Sequence, residues 1–144
     1  MSTIRQFQVT FDCARPERLA RFWCEVLGYV LPSPPDTFAT WDDYNAALPP
    51  EKRDSWSACI DPTGMGPRLY FQRVPEGKTA KNRVHLDVRA GAGLTGDERL
   101  AVLEAERDRL TALGAVCVLV QTADEENESC ITMQDIEGNE FCLD

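Results

Sequence analysis

The sequence predicts an α+β fold in which one βαβββ module is written twice. Three observations carry this. Two strand-like segments alternate apolar and polar residues. Each runs into an apolar-striped helix that ends in a Leu-Gly step, and each half then places a DxxG turn signal between two short apolar stretches. A single β-α-β-β-β order arises readily by chance, whereas two aligned copies with matching punctuation point to internal duplication.

In residues 4–13, Phe7, Val9 and Phe11 share one face and Gln6, Gln8, Thr10 and Asp12 the other, the period of a half-buried strand. RPERLARFWCEVLGY follows. Pro16 suits a first helical turn, Leu19, Phe22, Trp23, Val26 and Leu27 form an apolar stripe, and Gly28 stands where a C-terminal cap belongs. Residues 32–55 interrupt the pattern with five of the nine prolines beside Phe38, Trp41 and Tyr44. Such a stretch reads as a solvated linker or as a lid, and WDDYNAAL within it as a short helix. Asp61-Pro62-Thr63-Gly64 then marks a hairpin turn ahead of LYFQRV.

The second copy opens at RVHLDV, where Val84, Leu86 and Val88 alternate with Arg83, His85 and Asp87. A glycine-rich connection leads into a helix striped by Leu100, Leu103, Leu110 and Leu113, with Gly114 as its cap. Asp135-Ile136-Glu137-Gly138 is its hairpin turn, and Gly138 and Asn139 are expected to take up positive φ there.

Composition narrows the function. A formal net charge of -9 repels phosphate backbones and anionic lipid, so neither nucleic acid nor a membrane surface is an expected partner. The alternating N-terminal residues lack the apolar stretch of a signal peptide, and a cytoplasmic protein is expected. The six cysteines form no CxxC and sit mostly in apolar patterns, as free thiols do in a reducing compartment. The basic residues Arg73, Lys78, Lys81 and Arg83 read as a solvated loop.

Three segments, FDCARPERLARFWCEVLGY, RLYFQRVPEGKTAKNRVHLDV and DIEGNEFCLD, resemble the vicinal oxygen chelate superfamily. That group includes glyoxalase I, extradiol dioxygenases, and fosfomycin- and bleomycin-resistance proteins. The middle and last segments together resemble its glyoxalase-like subgroup common in actinobacteria. The resemblance implies one glyoxalase-like domain over residues 1–144, with module 1 at about 3–76 and module 2 at about 82–144. Its curled mixed sheet would surround a cavity with the helices outside, His85 would face that cavity, and the protein would be a homodimer.

Metal-dependent members carry ligands at four inward strand positions, which correspond here to Gln8, Gln72, His85 and Cys142. Only His85 keeps a usual ligand, and two amides offer weak neutral oxygens without compensating charge. Asp87, two residues along, could add a donor. No metal and no cofactor are therefore expected. The function expected is that of a metal-free, small-molecule-binding protein of the glyoxalase/bleomycin-resistance type. Its ligand contacts would be Gln8, Thr10, Tyr70, Gln72, His85, Asp87 and Cys142, with Trp41 or Trp56 beside them. The alternatives are a metal-dependent lyase or dioxygenase, and a metal-free enzyme with His85 as catalytic acid or base.

Overall fold

The computed structural model describes residues 3–144; Met1 and Ser2, included in the expected domain, lie outside the described residues. The chain forms two compact units, one ending at Gly77 and the other beginning at Lys78.

The first unit contains β1 (Val9–Cys13), α1 (Pro16–Leu27), α2 (Trp41–Ala47), a short 3-10 turn (Pro50–Lys52), β2 (Trp56–Cys59) and β3 (Leu69–Arg73). The strand order is β1-β3-β2, with β1 parallel and β2 antiparallel to the central β3. Pro16 opens α1, where its missing N–H costs no hydrogen bond, and Gly28 closes it at φ 69°, a conformation that a Cβ disfavours. Leu19, Phe22, Trp23 and Val26 are buried as the stripe predicts. Phe11 lies between Trp23 and Phe71, at ring-centroid distances of 5.1 and 5.2 Å, and these three rings form the centre of this unit's core.

The second unit contains β4 (Leu86–Val88), α3 (Gly96–Ala112), β5 (Val116–Gln121), β6 (Cys130–Gln134) and β7 (Glu140–Leu143). The strand order is β4-β7-β6-β5, with β4 parallel to β7. Ile131, Met133, Phe141 and Leu143 are fully buried with Leu103 and Leu110 of α3. Arg99 is also buried and donates to the carbonyls of Ser129 at 3.1 Å and Gly91 at 3.2 Å, joining the first turn of α3 to two loops. Nothing in the helical periodicity signals that role.

The two units thus share one topology, β1/β3/β2 corresponding to β4/β7/β6. The counterpart of β5 in the first unit is reduced to a single bridge, Val30 to Ile60. Both expected hairpins form, β2 with β3 and β6 with β7.

The opening strands are shorter than the alternation predicts. Pairing of β1 with β3 begins only at Val9 with Leu69, and Phe7, two residues earlier, lies before it. Phe7 is 70% exposed instead of packing on a helix. Val84, 82% exposed, likewise lies before β4, because β7 begins only at Glu140 and leaves residues 82–84 no strand to pair with. Arg83 consequently shares no strand face with His85. Leu113 sits at the C-cap of α3 and is 44% exposed.

Candidate functional site

Directly paired residues on neighbouring strands project to the same face. In the second sheet the buried row Phe141, Met133, Ile131 and Leu143 takes one face, and α3 packs on β5, β6 and β7. The other face carries Asp87 opposite Cys142, and Cys142 opposite Thr132. His85 sits just before β4, and its Nε2 lies 3.2 Å from an Asp87 carboxylate oxygen. One ligand atom each from His85, Asp87 and Cys142 falls within 4.8 Å of the others. The His85 and Asp87 side chains are 40% and 52% exposed, so this polar cluster is open to solvent.

Thr132 Oγ1 lies 3.7 Å from Cys142 Sγ. Burial pushes the Cys142 thiol up from its ordinary value, and the carboxylates of Asp87 and Asp144 add to this against the Thr132 hydrogen bond. The thiol therefore stays protonated at neutral pH, which suits a pocket-lining side chain and opposes a Cys–His nucleophile. Cys130 donates to Gln121 Oε1 at 2.9 Å on the same face. Thr132 was not legible as a site residue, since nothing in ESCITMQ marks which residues face outward.

The turn leading into β7 is fixed by a buried carboxyl group. Asp135, 2% exposed, accepts from the backbone N–H groups of Glu137 and Asn139 at 2.9 and 3.0 Å and from Asn139 Nδ2. Gly138 has the expected positive φ, 88°. Asn139 contributes its side chain to Asp135 and not a left-handed backbone. Next to it, burial works to raise the Glu140 carboxyl. The Asn82 N–H and the Lys78 ammonium outweigh that effect and hold it at about 2.

In the first sheet, Thr10, Tyr70 and Ala58 share a face with Asp12, Gln72 and Trp56. Gln72 donates from Nε2 to Asp12 at 2.6 Å. Tyr70 stacks on Trp56 at 5.7 Å with its ring under the Arg68 guanidinium, and Arg68 also donates to Gln8 Oε1 at 2.7 Å. Thr10 is exposed on β1.

Residues 32–55 are an ordered part of this unit and not a solvated linker. Thr40 caps α2 by accepting from Asp43 N, and Trp41 Nε1 donates to the Pro32 carbonyl at 2.9 Å. The rings of Trp41 and Tyr44 meet Trp56 edge-on. Arg73, expected in a solvated loop, donates to the carbonyls of Glu51, Arg53 and Asp54 and pins the segment.

Of the sequence-predicted residues, the structure gathers His85, Asp87 and Cys142 in one cluster, and Thr10, Tyr70 and Gln72 on another sheet face with Gln8 beside it. The donor chemistry fits a catalytic metal poorly. Two of the four superfamily positions are neutral amides, the Gln8 carbonyl oxygen already accepts from the Arg68 guanidinium, and the His85 and Asp87 side chains pair with each other.

A family model described as a glyoxalase-like domain matches residues 8–143. No curated protein matches the sequence. Among solved structures, the fosfomycin resistance protein FosX from Mesorhizobium loti is 15% identical, with a TM-score of 0.62 over 99% of this chain and 91% of that one. A glyoxalase/bleomycin resistance protein/dioxygenase family enzyme from Burkholderia phytofirmans is 11% identical, with a TM-score of 0.60 over 94% of each chain. A FosX variant from Listeria monocytogenes, solved with Mn(II) and 1S,2S-dihydroxypropylphosphonic acid, is 9% identical, with a TM-score of 0.61 over 98% and 90%.

Proposed function

Because the chain belongs to the glyoxalase-like domain family, we propose that it binds a small polar organic molecule without a metal, in the manner of the bleomycin-resistance proteins. The observation that carries this reading is the convergence of His85, Asp87 and Cys142, with Thr132 beside them, on the sheet face opposite the buried row. Histidine, carboxylate and hydroxyl groups there are part-exposed and not consumed by the core. They supply both donors and acceptors to a ligand. In the first unit, the Trp56–Tyr70 stack with the Arg68 guanidinium over the Tyr70 ring brings aromatic groups and a cation together, suited to a planar or anionic group.

The same reading makes the two units one glyoxalase-like domain in a cytoplasmic homodimer. The exposed Phe7 and Met65 side chains of the first unit are apolar surface that a second copy would cover. Sedimentation velocity checks the dimer.

One observation favours a metal-dependent enzyme as the second reading: His85, Asp87 and Cys142 bring one nitrogen, one oxygen and one sulfur within 4.8 Å of one another, the donor types that zinc accepts. Two measurements separate the readings. Protein purified without chelator is assayed for bound metal, and a panel including fosfomycin, bleomycin and small aromatic acids is screened by thermal shift. The proposed function requires substoichiometric metal and a stabilising compound whose effect His85→Ala abolishes. An equivalent of divalent ion lost in His85→Ala and Cys142→Ala establishes the second reading instead.

A further inference from the structure

Where β5 ends at Gln121 and β6 begins at Cys130, the second unit holds a cavity of about 470 Å³, in the size range of small-ligand pockets. Arg99, Ser129, Asp124, Glu128 and Asp144 supply its charged and hydroxyl groups, and none of His85, Asp87, Thr132 and Cys142 lines it.

Arg99 carries the argument. It lies against Gly91, where a Cβ would come within 3.1 Å of its Cγ, so the glycine makes room for it. The residue is 8% exposed, and its bonds go to two neutral carbonyls, those of Ser129 and Gly91. No carboxylate of the described residues pairs with it, although a buried charge is costly without a counter-charge. Its Nη2, unbonded among the described residues and not enclosed by protein, is the donor it has left to offer the cavity. Ser129 is 1% exposed, and its hydroxyl has no partner among the described residues. Such a buried hydroxyl beside a cavity is a donor in reserve for an acceptor that enters.

The carboxylates around the cavity have the opposite need. Asp144 is matched by Arg89 at 2.7 Å. Asp124 has no cation, only the N–H groups of Glu126 and Asn127 at 2.8 and 2.7 Å, which hold its carboxyl below the usual range and keep it ionised. Glu128 makes one long contact, 3.4 Å from the Gly96 N–H. Gly96 and Arg99 are neighbours on the first turn of α3, so the Glu128 carboxylate and the Arg99 guanidinium stand close together.

We propose that this cavity is a second ligand site, for a free α-amino acid, whose carboxylate docks on Arg99 and Ser129 and whose ammonium docks on Glu128 and Asp124. A simple anion would meet more carboxylates than guanidinium groups here, and a simple cation would meet Arg99. A molecule that carries both charges on one carbon satisfies both sides at once.

The test titrates the isotope-labelled full-length protein with the standard L-amino acids, one at a time, following its backbone amide and arginine Nε–H resonances. At least one amino acid should give saturable shifts centred on Glu128, Ser129 and the Arg99 side chain. Its analogue without the ammonium, and the amine without the carboxylate, should each bind roughly tenfold more weakly, because each forfeits a hydrogen bond between charged groups. Ser129→Ala and Glu128→Gln should each weaken binding several-fold and leave the melting temperature in place, since the first removes an unbonded hydroxyl and the second keeps an acceptor for Gly96. The absence of a saturable shift with any amino acid overturns the proposal. So does an ammonium-free analogue that binds as tightly as its parent, a set of shifts centred on Thr132 and Cys142 instead, or unchanged affinity in both variants.

Discussion

Replacing His85 by alanine separates a ligand contact from a core residue. His85 stands outside the strands with a 40% exposed side chain, and its one close partner, Asp87 at 3.2 Å, is 52% exposed. A polar contact so exposed contributes about 0–1 kcal/mol, and no buried donor or acceptor is orphaned by the change. His85→Ala should therefore lower the melting temperature by less than roughly 4 °C, taking about 4 °C per kcal/mol for a chain of this size. Phe141→Ala is the reference. Phe141 is fully buried at the centre of the second sheet, and such a truncation costs about 3–5 kcal/mol, hence a fall of more than roughly 10 °C. Ligand binding should show the opposite order. Losing one hydrogen bond from an imidazole in contact with the ligand weakens affinity by about 1.5 kcal/mol, tenfold or more. Melting by circular dichroism and titration calorimetry with the compound found by thermal-shift screening give both numbers. If His85→Ala melts as low as Phe141→Ala, or binds as tightly as wild type, the histidine is not a pocket residue.

Three further outcomes follow from the turn, the acid-side electrostatics and the aromatic segment. Glu140 is held at about 2 against an ordinary 4.5, so its stabilisation is complete above 4.5 and is lost as pH falls from there towards 2. The urea midpoint of wild type relative to Glu140→Gln should converge across that window, and a pH-independent difference would contradict the assignment. Asp135→Ala removes the acceptor of two backbone N–H groups and an amide in a site 2% exposed. It should cost about 3 kcal/mol in denaturant titration, and Asp135→Asn less. Arg73→Met frees the carbonyls of Glu51, Arg53 and Asp54 and should redshift tryptophan emission by loosening Trp41 from Trp56, with little change in far-ultraviolet dichroism.

The elements that sequence reasoning placed well are those whose signals are local. Pro16, the Leu19–Val26 stripe and Gly28 specify α1 without any knowledge of the rest of the chain. The two DxxG turns likewise place their hairpins. The strands that open each unit were drawn too long because their extent depends on a partner over fifty residues away, and alternation in one strand is silent about where the other begins. Phe7 falls before the start of β3 for this reason, and Val84 beside the turn before β7. At the site, the three residues of the second sheet were legible because β4 and the DxxGN turn both carry recognisable patterns. Thr132, Arg68 and the pinning of residues 32–55 by Arg73 were not, since each depends on register between segments that have no motif of their own.

The position of β3 and β7 has a consequence for synthesis. Each is the last strand of its unit to be made, yet it joins the opening strand to the rest of its sheet. Until it emerges, β1 and β4 have no partner for their backbone groups, and the helices have only part of a floor. Each unit must therefore close late, through parallel pairings between segments more than fifty residues apart, which form slowly because long loops must be closed first. During that interval, apolar edges such as Val9-Thr10-Phe11 are exposed to other chains. Substitutions that slow the arrival of Leu69–Arg73 or Glu140–Leu143 should thus lower soluble yield in growing cells more than they lower the melting temperature of the protein that survives.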